Sequence, residues 1–351
     1  MSQQANPQDT GIVQDQDRIC IEKVANQEEL EHIHDPTHSA EAAQHLRAAF
    51  VKTKLWPQKS KVTIAFTTPG KPDIPKTAES ALKQASDGGP IDPLQKSVTD
   101  TTNVKDEIKQ IVKERIQPLV NLELVFVEDP EDAKVRISFD PAGGSWSLVG
   151  TDCLKQKTGA TMNFGWFDVG TVMHEFGHML GMIHEHQNPK GDIPWNDEAV
   201  YEWAAKTQGW DKQTTKTNII DRYKLDQING SSFDPLSIML YFFPASLTTN
   251  GEGTHQNLTL SGPDVTWINK MYPTENHDAA AQFYDNVYSM PLSQAIAESR
   301  KAAEEEGGIK TSTKIIIALS VTLGVVILFG IIAFLLYRHL TNEAPRHARR
   351  F

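Results

Sequence analysis

From position 104 an apolar residue returns every three or four places. Val104, Ile108, Ile111, Val112 and Ile116 share one face, which predicts an amphipathic helix over 104–116. A second helix is predicted over 39–54, with Ser39 as its N-cap and Ala43, Leu46 and Phe50 on its apolar side. Shorter runs have a different period. KVTIAF at 61–66, 122–127 and 135–139 are brief, rich in β-branched and aromatic residues and bounded by turn formers, so they read as strands. TMNFGW at 161–166 is a further short strand candidate. A helix over 169–180 follows, with Val172, Phe176 and Met179 on its apolar face. A sheet interspersed with helices and no internal repeat is the α+β class.

Between these patterns lie segments without one. Residues 1–17 are polar and are expected to be disordered, with no basic start leading into an apolar stretch, so no secretory signal is read there. Residues 67–102 are rich in Pro, Gly, Asp, Ser and Lys and read as a long surface loop. DPAGGSWS, 140–147, reads as a turn-rich loop. Residues 275–314 lack a clear core pattern beyond one helix over 292–306 and read as a stalk. Residues 315–337 differ sharply: Ile315 opens and Tyr337 closes a 23-residue run without a charge. As a helix it is roughly 34 Å long, enough for a hydrocarbon core of about 30 Å. The expected organisation is a polar extension 1–38, a domain 39–274, a stalk 275–314, a transmembrane helix 315–337 and a short basic tail 338–351.

Charge narrows the partners. The net charge is −11 and no basic face stands out, which argues against nucleic acid. The two cysteines, Cys20 and Cys153, provide no framework of bridges and lean toward a reducing compartment.

The chemistry sits in the helix over 169–180. In HEFGHMLGMIHEH, His174 and His178 lie one turn apart on one face, the spacing that lets two imidazoles reach a single zinc ion. Glu175, one residue round, is placed to act as a base toward a metal-bound water rather than as a ligand. Gly181 can take the left-handed backbone that ends the helix and turns the chain. His184 then swings back as a third ligand, and three protein ligands with an open position describe a catalytic zinc site. With 22 glycines and 12 histidines in 351 residues, chance places both at those two further positions about twice in a thousand, so the extended motif is specific. His186 could compete as a ligand, but the spacing favours His184. His32, His34, His38 and His45 have no coherent metal spacing.

This run resembles the extended zinc motif of the metzincin metalloproteases, which also carry a methionine turn under the metal. Ser237-Ile-Met239-Leu-Tyr241 is similar to the astacin-type form of that turn, and Glu185 directly after the third histidine matches the same form. The resemblance extends over about 55–273, through LWP, RISFDPAGGSWSLVG, TMNFGW, HEHQNP and the LS..D....NKMYP run. It implies a zincin fold: a twisted mixed sheet, an active-site helix and a smaller C-terminal subdomain. It implies that His174, His178 and His184 bind Zn2+, and that Glu175 is general base to a zinc-activated water that attacks a peptide or protein substrate. Met239 would floor the metal. Tyr241 would correspond to the tyrosine that can ligate zinc and swing to stabilise the oxyanion. TMNFGW would be the cleft-edge strand on which an extended substrate pairs. The chain departs from the pattern at Leu240, where astacins usually have His, and in having Cys153 as the domain's one cysteine. Cys20, in DRICIEKV, does not resemble a zinc-blocking switch, so the family's latency does not carry over by resemblance.

The function expected is a membrane-anchored zinc endopeptidase; the alternative is a catalytically silent, zinc-containing peptide-binding module on a membrane. Arg338, Arg346, Arg349 and Arg350 after the span, against Lys301, Lys310 and Lys314 before it, slightly favour a cytosolic tail. The missing signal and few cysteines favour a cytosolic protease domain, the reading taken. A glycan at the sequons of Asn229 or Asn257 would reverse it.

Overall fold

The computed structural model describes residues 20–23, 34–35, 49–67, 104–191, 193–229, 233–254, 257–276, 278–299 and 301. The chain divides into two units, Met1–Arg300 and Lys301–Phe351. The apolar run 315–337, the tail, most of the loop 67–102, and His32, His38 and His45 lie outside the described residues. Among those described, no helix is long and apolar enough to cross a membrane.

Six strands make the main sheet. They are β1 (Ile21–Lys23), β4 (Lys61–Phe66), β5 (Glu123–Phe126), β6 (Val135–Ser138), β7 (Trp146–Leu148) and β8 (Met162–Asn163), in the order β1-β7-β8-β6-β4-β5. The block β8-β6-β4-β5 is parallel, β7 is antiparallel to β8, and β1 is parallel to β7, so the sheet is mixed, as expected. Val62, Ile64, Val135 and Ile137 drive its inner face into the core. Against it packs α1 (Val104–Ile111), which widens into a π-helical turn over Val112–Ile116. Its predicted stripe of Val104, Ile108, Ile111, Val112 and Ile116 is buried. The motif helix α2 (Val169–Met179) is buried along its whole length.

Three expectations are corrected. The end of the helix predicted over 39–54 is strand β3 (Phe50–Val51) followed by a 3-10 turn, Lys52–Lys54. Phe50 and Val51 are both fully buried, and β3 pairs antiparallel with β10 (Ile228–Asn229), while Val51 N donates to Gly181 O at 3.0 Å. Tertiary pairing overrides the helical pattern there. Second, the turn-rich loop 140–147 runs into β7, and the described TMNFGW strand is not the edge: β8 is paired on both sides. β7 in turn lies between β8 and β1, so β1 and β5 are the edges of the described sheet. Third, residues 278–299 are not an extended stalk. Helix α6 (Ala279–Tyr288) and the helical residues 292–299 bury Phe283, Tyr284, Tyr288 and Ala295 against the main core.

Strand β2 (His34–Asp35) pairs antiparallel with β9 (Arg222–Tyr223). Beyond the motif helix, α3 (Asp197–Thr207), α4 (Lys212–Thr215) and the turn ending at Ile220 gather Val200, Ala204, Ile219, Ile220, Phe243 and Leu247 into a second, smaller core. This is the expected C-terminal subdomain. The chain returns to the first core through α5 (Gly262–Met271), which begins with a capping box between Ser261 and Asp264.

Candidate metal centre

Asp168 caps α2, its carboxylate accepting from Thr171 N at 2.8 Å and Thr171 Oγ1 at 2.7 Å. One turn on, His174 and His178 share a face. The helix then ends as the sequence predicts: Gly181 takes φ +100°, and Met182 N closes back onto Gly177 O at 3.0 Å. That reversal brings His184 opposite the other two. The ring centroids lie 4.9 Å apart for His174–His178, 4.5 Å for His178–His184 and 5.3 Å for His174–His184. One nitrogen from each ring lies within 4.8 Å of the others.

The outer partners set which nitrogen faces inward. His174 Nδ1 is 2.8 Å from Ile238 O, and His178 Nδ1 is 2.9 Å from Met182 O. A carbonyl only accepts, so both Nδ1 atoms donate and both Nε2 atoms turn a lone pair toward the centre. His174 Nε2, fully buried, makes no hydrogen bond, and His178 Nε2 faces His184 Nε2 at 2.9 Å. Burial lowers the pKa of His174 to about 4 and drives His178 and His184 well below the usual imidazole range. Neutral imidazoles with converging acceptor nitrogens fit a zinc ion, which is bound by His nitrogen in this form.

Glu175 is fully buried beside them, and burial raises its pKa to about 8, opposed by the neighbouring Cys20 thiol. Tyr241 bonds through its hydroxyl to His184 Nε2 and to the backbone oxygen of Cys20, and its ring stacks 5.4 Å from that of His174. All five predicted site residues are therefore brought together.

Cys20 was not expected. It lies against Glu175 and His174, with one potential ligand atom from each of the three within 4.8 Å of the others. The sequence signal was an apolar island, Ile19–Ile21, in a polar stretch. Gly177 was also missed. A Cβ there would stand 2.7 Å from Met239 Sδ, so the helix touches the methionine turn only because this position is bare.

Met239 is buried beneath the helix, as expected. Its turn is held by Asp264, whose two oxygens accept from Ser237 Oγ at 2.8 Å and Ile238 N at 2.9 Å. Glu185 acts as a structural tie. Its Oε1 accepts from Asp234 N at 2.8 Å and Asn188 Nδ2 at 3.0 Å, and its own N–H donates to Met239 O at 2.9 Å. These bonds join the segment after the third histidine to the turn under the first two. His186 is a bystander: it stacks on His184 but donates through Nε2 to Asn218 O at 2.9 Å and stays outside the ligand group.

Three comparisons bear on this geometry. The family model for Astacin, a peptidase family, matches residues 99–272. The zinc metalloproteinase nas-4 of Caenorhabditis elegans is 29% identical over 155 residues, 41% of this chain and 46% of the relative, so the chain spans about half the length of the curated relative it matches. A structure of myroilysin is 32% identical, covering 65% of this chain and all of its own with a TM-score of 0.53. A crystal structure of myroilysin is 28% identical over 73% of this chain and all of its own, with a TM-score of 0.43.

Proposed function

Because the chain belongs to the astacin family of zinc metalloproteases, we propose that it is a zinc-dependent endopeptidase tethered to a membrane, with His174, His178 and His184 as the zinc ligands. One observation carries the reading: three buried imidazoles bring a nitrogen each to a common point beside the carboxylate of Glu175. Bound zinc supplies a Lewis acid that acidifies water and polarises a carbonyl. The residues do the rest. Glu175 accepts a proton from the attacking water and passes it to the leaving amine. Its carboxylate is buried beside the converging imidazoles, away from bulk water that would compete for the proton. Tyr241 has its hydroxyl beside His184, where it can donate to the carbonyl oxygen as charge develops. The side of β7 that β1 covers would offer its backbone groups to an extended peptide once β1 is displaced.

The tether is the apolar run 315–337, whose length suits a bilayer. The catalytic domain lies on the cytosolic side in this reading. Support comes from Asn257, whose Nδ2 donates to Pro235 O and Ser237 O, both at 2.9 Å. Attaching a glycan would remove one of those protons.

The test is metal content and peptide cleavage in a Cys20→Ser background, so that the thiol beside the site cannot mask turnover. About one zinc per chain and chelator-sensitive cleavage are expected. Glu175→Gln should retain the metal and lose roughly 10²–10⁴ in rate. Wild-type rates in that variant would sink the assignment of the base.

A further inference from the structure

Helix α2 ends just after His178, and the carbonyls of a helix's last turn need donors that the helix does not supply. The turn satisfies the first three itself: Leu180 N donates to Phe176 O at 2.9 Å, Met182 N to Gly177 O at 3.0 Å and Gly181 N to His178 O at 2.8 Å. The next three are taken from outside the motif. Trp56 Nε1 donates to Met179 O at 2.8 Å, Tyr272 Oη to Leu180 O at 2.5 Å and Val51 N to Gly181 O at 3.0 Å. The carbonyl after these, Met182 O, is the acceptor for His178 Nδ1 at 2.9 Å. One residue later, Ile183 N donates to Ala49 O at 3.1 Å. The two side chains of this collar also meet, Trp56 N donating to Tyr272 Oη at 3.3 Å, and both are buried. Residues 49–56 are pinned in turn through Lys54. Its ammonium is buried 2.7 Å from the Asp152 carboxylate, and its carbonyl oxygen lies so near Gly150 that a Cβ there would stand 1.9 Å away.

We propose that Trp56 and Tyr272 are positioning residues for the metal centre: they hold the turn 179–183 so that His178 and His184 present their nitrogens to one ion. This rests on the zinc reading of the three histidines. The two histidines lie on either side of the turn, and their Nε2 atoms are 2.9 Å apart. Gly181 permits the reversal but selects no single geometry, because a residue without a Cβ has the widest backbone freedom. The collar selects it. Bonds to Met179 O and Leu180 O fix the peptide planes entering Gly181, and pairing with 49–51 fixes those leaving it. The Met182 carbonyl is thereby aimed at His178 Nδ1, which sets the orientation of that ring and the nitrogen it turns toward the metal. Trp56 and Tyr272 act through backbone carbonyls, not through the rings. They lie 123 and 92 residues from their acceptors, so no motif around the histidines contains them.

The test compares the full chain as wild type, Trp56→Phe, Tyr272→Phe and Val62→Ala, the last a core change in β4. Each is loaded with zinc, and release of the metal to excess chelator is followed alongside unfolding in denaturant. Tyr272→Phe removes one oxygen and Trp56→Phe one N–H donor, and both keep an aromatic ring in place. Both should release zinc about tenfold faster than wild type, at the low end for groups that orient a metal's ligands. Because Trp56 N and Tyr272 Oη share a bond, the double variant should fall short of the product of the two effects. Val62→Ala should lose stability and still release zinc at the wild-type rate. Chains loaded with Co2+ give a second readout: the visible bands, which report ligand geometry, should shift in the two collar variants and stay in place in Val62→Ala. Wild-type zinc release in both collar variants overturns the proposal, and so does equal acceleration in Val62→Ala. A wild-type chain that takes up neither metal overturns the zinc reading, and the proposal falls with it. Tyr272→Phe decides alone if Trp56→Phe fails to fold.

Discussion

Gly181 stands between the second and third histidines with φ +100°, and an added Cβ would meet Leu55 Cδ2 at 3.3 Å. An L-residue is strained there whatever the space around it. Gly181→Ala is expected to lower stability by about 1–2 kcal/mol and to weaken zinc binding, because His184 reaches the site only through this reversal. Denaturant unfolding and a competitive chelator titration check both parts; unchanged zinc affinity would show that the turn is not what places His184. At this scale the sequence was informative. The motif spacing picked out the three histidines, Glu175 and Gly181 that the fold brings together, because geometry on one helix and one turn is a local property. Gly177 and Cys20 were hidden because their roles depend on what approaches them from 62 and 155 residues away, Met239 and Glu175 respectively.

The methionine turn and the start of α5 form one unit through Asp264. Its carboxylate also accepts from Ser261 N at 3.0 Å, and Ser261 Oγ reaches Asp234 at 2.7 Å. Burial and the facing Asp234 raise the pKa of Asp264 to about 7. The folded state therefore binds a proton that the unfolded chain gives up near the ordinary carboxylate value. Between that value and about pH 7 the folded state holds more protons, so this group's contribution to stability falls as pH rises. Asp264→Asn should remove that slope, and the difference in unfolding free energy between wild type and variant should change with pH over this window. The variant should also cost about 1–3 kcal/mol at low pH, because an amide cannot accept all three bonds at the turn. A pH-independent difference would mean that Asp264 does not titrate there. Elements with a clear period, such as α1 and α2, were readable in advance. Strands of two or three residues, such as β1, β3 and β7, were not, since pairing with distant partners rather than their own pattern makes them strands.

At the scale of the molecule, the two cores meet at the metal centre, with the first supplying α2 and the methionine turn and the second packing around Tyr241. A chain this acidic, with an uncharged run of 23 residues near its C-terminus, is proposed to join that centre to a bilayer. The orientation has a handle in the folded domain. Asn257 spends both amide protons on carbonyls of the segment that carries the methionine turn, and Asn229 lies in β10, paired to the buried β3. Neither sequon suits a bulky sugar without disturbing the packing around the site. In microsomes bearing the full chain, the catalytic domain is expected to be digested by added protease without detergent and to show no endoglycosidase-sensitive mass shift. Removal of 315–337 should release the chain from the membrane fraction. A glycan on either asparagine would place the domain in the lumen and reverse the orientation. It would also show that the turn under the metal tolerates the loss of one Asn257 bond, which an Asn257→Asp chain, keeping the size but losing the donor, would test through its thermal stability.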